Sequence, residues 1–410
     1  MIGHYCRVVW NRKRANALIL IEVLVSFLVL CVVFSIAVHY AENWRRPLGF
    51  QYRDLWSVTV RIPDRGSDPL VEARNLETSR ALLAALRGSP EVESATPAPN
   101  APYSGNVSRS GIYLADRKLV QFLYTPVVPG AIEVYPLELV AGRWLQPGDD
   151  VLDYTPIVIS QNLARRIFGR EDPLGRPIEE FDEQGQPRPR PEAWQQRKVV
   201  GVVKDFRKTG ELSDTPYAAF VPQSMADATR SAAPWSYLVR LRPGTSGAFE
   251  ESLLRSLRSV GPTWQFEIKS VARMRASYLK ARLLPLLIGA TIAGFLVLMV
   301  GMGLLGVLWQ NVSGRTQEIG LRRALGATRE QVRAQILGEL VTLTLLALGL
   351  GVVLFLQVPL LGLVPFVEPQ VFGLAALAAV VAILPFVLLC GLYPGWLATA
   401  VDPARALQYE

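Results

Sequence analysis

The stretch Arg315-Thr-Gln-Glu-Ile-Gly-Leu-Arg-Arg-Ala-Leu-Gly-Ala-Thr-Arg-Glu-Gln-Val332 decides how the rest of the chain is read. It interrupts an otherwise apolar C-terminal third. Its pattern predicts a short helix from about Thr316 to Leu325, with Ile319, Ala324 and Leu325 on an apolar side and Arg322 and Arg323 supplying charge. Gly326 can take the left-handed conformation that ends a helix. Thr328-Arg-Glu-Gln331 has capping-box spacing, so a second helix starts there. On these residues alone the short amphipathic helix has two readings. It inserts into a groove on a cytoplasmic partner, or it rests on lipid as a basic anchor.

Working outward, a membrane-spanning helix needs about 20 mostly apolar residues. Stretches 17–38, 285–308, 336–358 and 371–394 qualify. Glu22, about one turn inside the first, either snorkels to the interface or makes a polar contact between helices. The first stretch is too long for a signal-peptide core and lacks an Ala-x-Ala exit, so it reads as a retained helix. Lys and Arg of short loops mark the cytoplasmic side. Arg7, Arg12, Lys13 and Arg14 precede the first span, and Arg315, Arg322, Arg323, Arg329 and Arg333 lie between the second and third. The 359–370 hairpin has neither residue type. The expected topology places 1–16, 309–335 and 395–410 in the cytoplasm, and 359–370 and the long segment 39–284 outside. The chain is therefore expected as a multi-pass membrane protein.

Composition excludes several chemistries. Of the 410 residues, 50% are hydrophobic and 19% charged, against about 25% charged in an ordinary soluble domain. The two histidines, His4 and His39, cannot build a multi-histidine metal site. Cys6, Cys31 and Cys390 form no CxxC pair. No Gly-Lys dipeptide occurs, so a Walker A loop is absent. Gly244-Thr-Ser-Gly-Ala248 lacks the last glycine of a nucleophile elbow. No catalytic residue, metal site or cofactor is expected in this chain.

Residues 41–282 carry 33 Lys/Arg and 28 Asp/Glu, well mixed, with no basic stripe interleaved with aromatics. Nucleic acid is not an expected partner; the mixed surface reads as solvated, with a weak attraction to anionic lipid headgroups of the membrane as the alternative. Strands are predicted at Leu55–Ile62, Gly111–Ala115, Pro156–Ile159, Lys198–Val203, Tyr217–Val221, Tyr237–Leu241 and Gln265–Ile268, and helices at Leu70–Arg87, Gln161–Phe168 and Ala248–Val260. The segment is an α+β domain. Polar, Pro-rich Glu179–Pro191 is expected as an exposed loop, and Lys204 and Asp205 as a turn. Trp144 is a buried residue or a lobe anchor. A helical run over Val271–Leu284, with Arg273, Tyr278 and Leu283 along it, leads into the second span. It is either a rigid stalk or a linker. Gly301, Gly303 and Gly306 could allow close packing across a dimer. Pro385 is expected to kink the fourth span.

Glu318-Ile-Gly-Leu-Arg-Arg-Ala-Leu-Gly-Ala-Thr328 resembles the cytoplasmic loop of the MacB/FtsX-like (type VII) ABC transporter permeases. Val8–Leu18 is similar to the family's basic lead-in, and Ala141-Gly-Arg-Trp-Leu145 with Gly148-Asp-Asp150 to the Gly-Arg-aromatic turn of its periplasmic core domain. Pro156–Gly169, Asp172–Ile178, Val199–Phe206 and Asp402–Leu407 extend the resemblance over nearly the whole chain. It implies a two-lobed outside domain, the second lobe (about 131–231) inserted into the first. It implies that Glu318, Ile319, Gly320, Leu321, Arg322, Arg323, Leu325, Gly326 and Ala327 form a coupling helix docked on an ATPase subunit. Two copies of that separate subunit would bind ATP and Mg. A second permease chain, identical or related, would pair in the membrane. MacB itself carries a fused ATPase domain; here the ATPase is expected as another chain.

The expected function is transmission of ATP-driven motion to the outside domain, for export or extraction of a lipoprotein, a peptide or a toxic compound, with an adaptor and an outer-membrane duct as further partners. The alternative is an FtsX-like scaffold that activates a cell-wall hydrolase.

Overall fold

The computed structural model describes residues 13–63, 68–98, 101–135, 137–188, 196–223, 233–313, 321, 325–364 and 367–400. The chain divides into two compact units: Asn43–Ala281, and Met1–Glu42 together with Arg282–Glu410. In order, the elements are α1 (Lys13–Trp44), β1 (Leu55–Arg61), α2 (Pro69–Arg87), β2 (Val92–Pro97), β3 (Arg109–Tyr113), β4 (Leu119–Val127), α3 (Ala131–Val134), β5 (Leu139–Gly142), β6 (Thr155–Ser160), α4 (Gln161–Phe168), β7 (Arg197–Val203), β8 (Ala218–Pro222), β9 (Ser236–Leu241), α5 (Phe249–Val260), β10 (Gln265–Ser270), α6 (Val271–Ser313), α7 (Arg329–Leu360) and α8 (Pro369–Ala400).

The 43–281 unit holds two sheets. The first, in the order β10-β1-β9-β2, is antiparallel throughout. Helices α2 and α5 cover it with Leu82, Leu86, Leu253 and Leu257, against Val58, Val60, Tyr237 and Val239. Helix α2 starts where the sequence signals it. The Asp68 carboxylate accepts the Leu70 N–H (2.9 Å) and Pro69 takes the first helical position. The second sheet, β3-β4-β8-β6-β7-β5, is mixed, with β4/β8 and β6/β7 parallel. Alternation along β6 sends Ile157 and Ile159 to a core under α4, and Val158 to the opposite face.

That opposite face joins the two sheets. Leu123, Val158, Val203 and Phe220 of the second sheet share one buried core with Leu55 and Leu238 of the first, and with Val271 at the start of α6. Trp144 belongs to this core, its ring 5.3 Å from Phe220. The turn before it explains the Gly-Arg-aromatic pattern. Gly142 has φ +71°, and a Cβ there would stand 2.3 Å from the Val200 carbonyl oxygen. Arg143 binds both carboxylate oxygens of Asp149 (2.7 and 3.1 Å).

Three expectations change. The inserted lobe begins earlier than residue 131. Strands β3 and β4 belong to the second sheet because β4 pairs in parallel with β8, Leu123 opposite Ala218 through Val127 opposite Pro222. The 179–188 part of the polar loop is not simply exposed: Phe181 bridges to Tyr113 and Pro187, and Pro177, just before the loop, bridges to Lys198. Asp205 does more than turn the chain. Its carboxylate accepts the Asn162 N–H (2.9 Å) at the start of α4, while Lys204 pairs with Glu138 (2.5 Å).

Among the described residues, α1, α6, α7 and α8 are long and apolar enough to cross a membrane. Helix α6 runs unbroken through Pro285, and α8 through Pro385. In the helical unit Ile19, Val23, Phe27 and Leu30 put one face of α1 into a core with Leu304, Ala347 and Ala379. Glycines let these helices approach. A Cβ on Gly351 would meet the Phe27 ring at 2.4 Å, and one on Gly303 the Glu22 carboxylate at 2.5 Å. Glu22 thus makes a contact between helices. Gly301 faces Phe386 and Cys390 of the same chain, while Gly306 faces open space. Gly301 and Gly303 are therefore occupied within the chain.

A Cβ on Gly201 would lie 2.1 Å from the Arg143 carbonyl oxygen, whereas Gly247 has nothing within 4 Å. Gly201→Ala is expected to destabilise the chain by about 1–3 kcal/mol, and Gly247→Ala to leave it unchanged. Thermal unfolding of the detergent-solubilised chain checks the pair.

Candidate functional site

Within the 43–281 unit the chain's two connections to its apolar helices meet at one loop, residues 207–213, between β7 and β8. Its first residue, Arg207, is fully buried. The guanidinium donates from one nitrogen to the carbonyls of Asn43 (2.7 Å) and Arg46 (2.9 Å). From the other it donates to the carbonyls of Glu211 (2.6 Å) and Ser213. The Arg207 backbone N–H donates to the Leu48 carbonyl (2.9 Å). One buried cation thus ties the end of α1 to the loop. Burial, then the neighbouring Arg46 charge, holds the Arg207 guanidinium below its ordinary pKa. Hydrogen bonds offset the cost of taking a charge out of water.

The same loop grips the start of α6. The Glu211 carboxylate accepts from Arg275 Nε (2.5 Å) and from the Tyr103 hydroxyl (3.0 Å). Burial alone would lower the Arg275 pKa, but the Glu211 pair more than offsets it and the net direction is up. Burial and the adjacent Glu211 charge push the Tyr103 phenol up. The Ser213 and Tyr278 hydroxyls are 2.8 Å apart, and the Tyr278 ring stands edge-on to Tyr103 at 5.6 Å. Gly210, at φ +97°, fits between those rings; a Cβ would stand 2.7 Å from Tyr103 and 2.9 Å from Tyr278. Tyr103 itself has φ +60°, a strain of about 1–2 kcal/mol for a residue with a side chain. Arg275 also lies 4.9 Å from the Tyr52 ring and 5.7 Å from the Trp44 ring.

These contacts make the foot of the domain one laced piece. Of the stalk residues expected from sequence, Tyr278 is in it. Arg273 lies nearby on α6, paired at 3.6 Å with Glu250 of α5. Leu283 belongs to the helical unit and is 37% exposed. Sequence reading missed Arg207, Glu211, Ser213, Arg275 and Tyr103. A signal existed for Arg275. It has no acidic residue three or four positions away on its own helix, so its counter-charge had to come from elsewhere.

The loop before α7 is the second candidate. Glu318, Ile319, Gly320, Arg322 and Arg323 lie outside the described residues. Leu321 and Leu325 are 52% and 80% exposed, and the Leu325 N–H donates to the Leu321 carbonyl (3.0 Å). Gly326 has φ +101° and is followed by Ala327. Thr328 caps α7: its hydroxyl accepts the Gln331 N–H (3.2 Å), and Gln331 Oε1 accepts the Thr328 N–H (2.9 Å).

Two predictions test the junction. Arg207→Met strands four carbonyls and should lower stability by at least about 3 kcal/mol, read by chemical unfolding. Lys208, buried beside it, has its pKa pushed down to about 7 by burial. Above about pH 7 the unfolded chain holds a proton on Lys208 that the folded chain has released, so stability should rise with pH from there toward the ordinary lysine range. Lys208→Met should raise the melting temperature at neutral pH and flatten that rise.

Comparison with known proteins agrees with this architecture. A family model described as MacB-like periplasmic core domain matches residues 25–255, and one described as FtsX-like permease C-terminal matches 290–403. The uncharacterised ABC transporter permease YknZ of Bacillus subtilis (strain 168) is 27% identical over 68% of this chain and 68% of its own length. The pyoverdine export ATP-binding/permease protein PvdT of Pseudomonas savastanoi pv. phaseolicola is 26% identical over 98% of this chain, which spans 58% of that relative. The crystal structure of the periplasmic region of MacB from Actinobacillus actinomycetemcomitans covers 58% of this chain and 97% of that one, with a TM-score of 0.36 and 16% identity. With the first family model matching more than half of its residues, the chain belongs to the MacB/FtsX-type family of ABC transporter permeases.

Proposed function

We propose that this permease delivers ATP-driven motion from a separate ATPase subunit to its 43–281 domain, which stands outside the cytoplasmic membrane while both termini face the cytoplasm. Its work is export or extraction of a lipoprotein, a peptide or a toxic compound. The observation that carries the reading is α6, a single helix from Val271 to Ser313. Forty-three residues at ~1.5 Å each span about 65 Å, about twice the ~30 Å hydrocarbon core. Its first turns are held by Glu211 and Ser213 inside the domain, which supports its role as the input to that domain.

Exposed Leu321 and Leu325 support an apolar face toward the ATPase. Phe295, Leu298, Met302 and Leu305 of α6 are 38–61% exposed at three- and four-residue spacing, a seam suited to a second permease chain or to lipid. In this mechanism ATP closes the ATPase pair, the loop before α7 moves with it, and α6 shifts the domain. The core shared by the two sheets favours movement of the domain as one body over parting of its lobes.

Co-expression with the ATPase subunit tests both ends of the lever. Leu321→Glu with Leu325→Glu should abolish co-purification of the ATPase and leave the permease folded. Two glycines inserted after Ala281 should keep ATPase binding and abolish export. Export that survives the glycine insertion would contradict the mechanism.

A further inference from the structure

Helix α6 is anchored at two places and bare between them. At its start Val271 is fully buried, and Met274 and Tyr278 pack on the core shared by the two sheets. Further along, Leu286 packs on the core of the helical unit and Ala293 is buried in it. Between these anchors Lys280, Ala281, Arg282, Leu283, Leu284 and Pro285 are all exposed. A helix turns once in 3.6 residues, so no side of this stretch is packed into a core. The same stretch is short of a hydrogen bond. Pro285 has no N–H, so the Ala281 carbonyl four residues earlier has no helical donor, and the proline ring crowds it. The division between the chain's two compact units falls at the same point, between Ala281 and Arg282. The Tyr40 hydroxyl of α1 donates to the Arg282 carbonyl at 3.5 Å, a length at which a hydrogen bond holds weakly.

We propose that residues 281–285 are a hinge at which α6 bends, so that its apolar part changes tilt while its first turns stay laced to the domain. Sharp bends in helices gather at prolines, and a turn without core contacts bends without breaking any. Helix α8 separates these two conditions. Pro385 deprives the Val381 carbonyl of its donor in the same way. There, however, Ile383 and Val387 are buried in the core of the helical unit and hold the turn. A missing bond alone therefore leaves α8 stiff, and the missing bond together with the bare turn makes α6 pliable. Bending keeps the length of α6 and the register of its two segments, so displacement still passes along it. Two inserted glycines keep neither, because two extra residues turn one segment about 200° against the other. The hinge adds a joint to the proposed coupling, and its existence depends on neither ATP nor cargo.

The test uses the full chain without any ATPase, in phosphatidylcholine vesicles, with the native cysteines replaced by serine and labelled chains diluted among unlabelled ones. Spin labels at Ser277→Cys and Met302→Cys flank the hinge on α6, and labels at Leu374→Cys and Leu392→Cys flank Pro385 on α8. All four positions are exposed. Straight helices would hold the two pairs about 37 Å and about 27 Å apart. The α6 pair should show a broad distribution reaching below the straight-helix distance, and the α8 pair a narrow one. Pro285→Ala, which restores the bond to the Ala281 carbonyl, should narrow the α6 distribution about twofold. Pro385→Ala should leave the α8 distribution unchanged. An α6 pair as narrow as the α8 pair would overturn the proposal, with no variant needed. So would an α6 distribution that stays broad in Pro285→Ala, or a narrowing of the α8 pair by Pro385→Ala to the same extent. A straight α6 would leave the proposed coupling to the ATPase standing, and loss of coupling in other experiments would leave this result unaffected.

Discussion

A buried guanidinium bonded to four backbone carbonyls is the constraint on which the domain's foot depends. Arg207 reaches the carbonyls of Asn43 and Arg46 with one nitrogen and those of Glu211 and Ser213 with the other. Backbone carbonyls cannot move away from it independently, and none of them can turn to water without leaving a buried charge short of a partner. The loop it organises then presents Glu211 to Arg275 and Ser213 to Tyr278. A side chain from the inserted lobe thereby fixes the spacing of two helices that enter the domain more than two hundred residues apart in sequence.

This arrangement gives physical content to the lever. A joint made of water-exposed pairs would absorb displacement, because surface ion pairs contribute little and re-form easily. Here the central contacts are buried: Arg207 is fully so, and the Glu211 side chain is 8% exposed. The core behind them runs without interruption from Val271 through Phe206 and Phe220 to Leu123. Close-packed interiors transmit strain. The proposed output is therefore movement of a whole domain, and an interface with another molecule is where that movement would do work.

Local signals made much of the fold legible. Helices α2, α4 and α5 appear within a residue of the predicted bounds, because caps such as Asp68 and stops such as Gly169 and Gly261 act on immediate neighbours. The capping box at Thr328 was legible for the same reason. Strands β2, β4 and β5 were not. Val92–Pro97 relies on small residues, Leu139–Gly142 is a four-residue edge, and Leu119–Val127 contains Pro126. The lobe boundary depends on β4 finding β8 about ninety residues later, a choice that no short window records. The junction was hidden likewise. Arg207 follows an apolar strand as any turn residue would, and its role comes from carbonyls that carry no sequence identity.

Spin-label distance measurement between Arg255→Cys on α5 and Gln184→Cys in the inserted lobe tests the central claim most directly. It is made with the native cysteines replaced by serine and labelled chains diluted among unlabelled ones. The account predicts the same distance distribution in the nucleotide-free assembly and in the ATP-trapped assembly, because the two lobes share one core and travel together. A clear shift between the two states would show that the lobes move against each other, and would contradict the account.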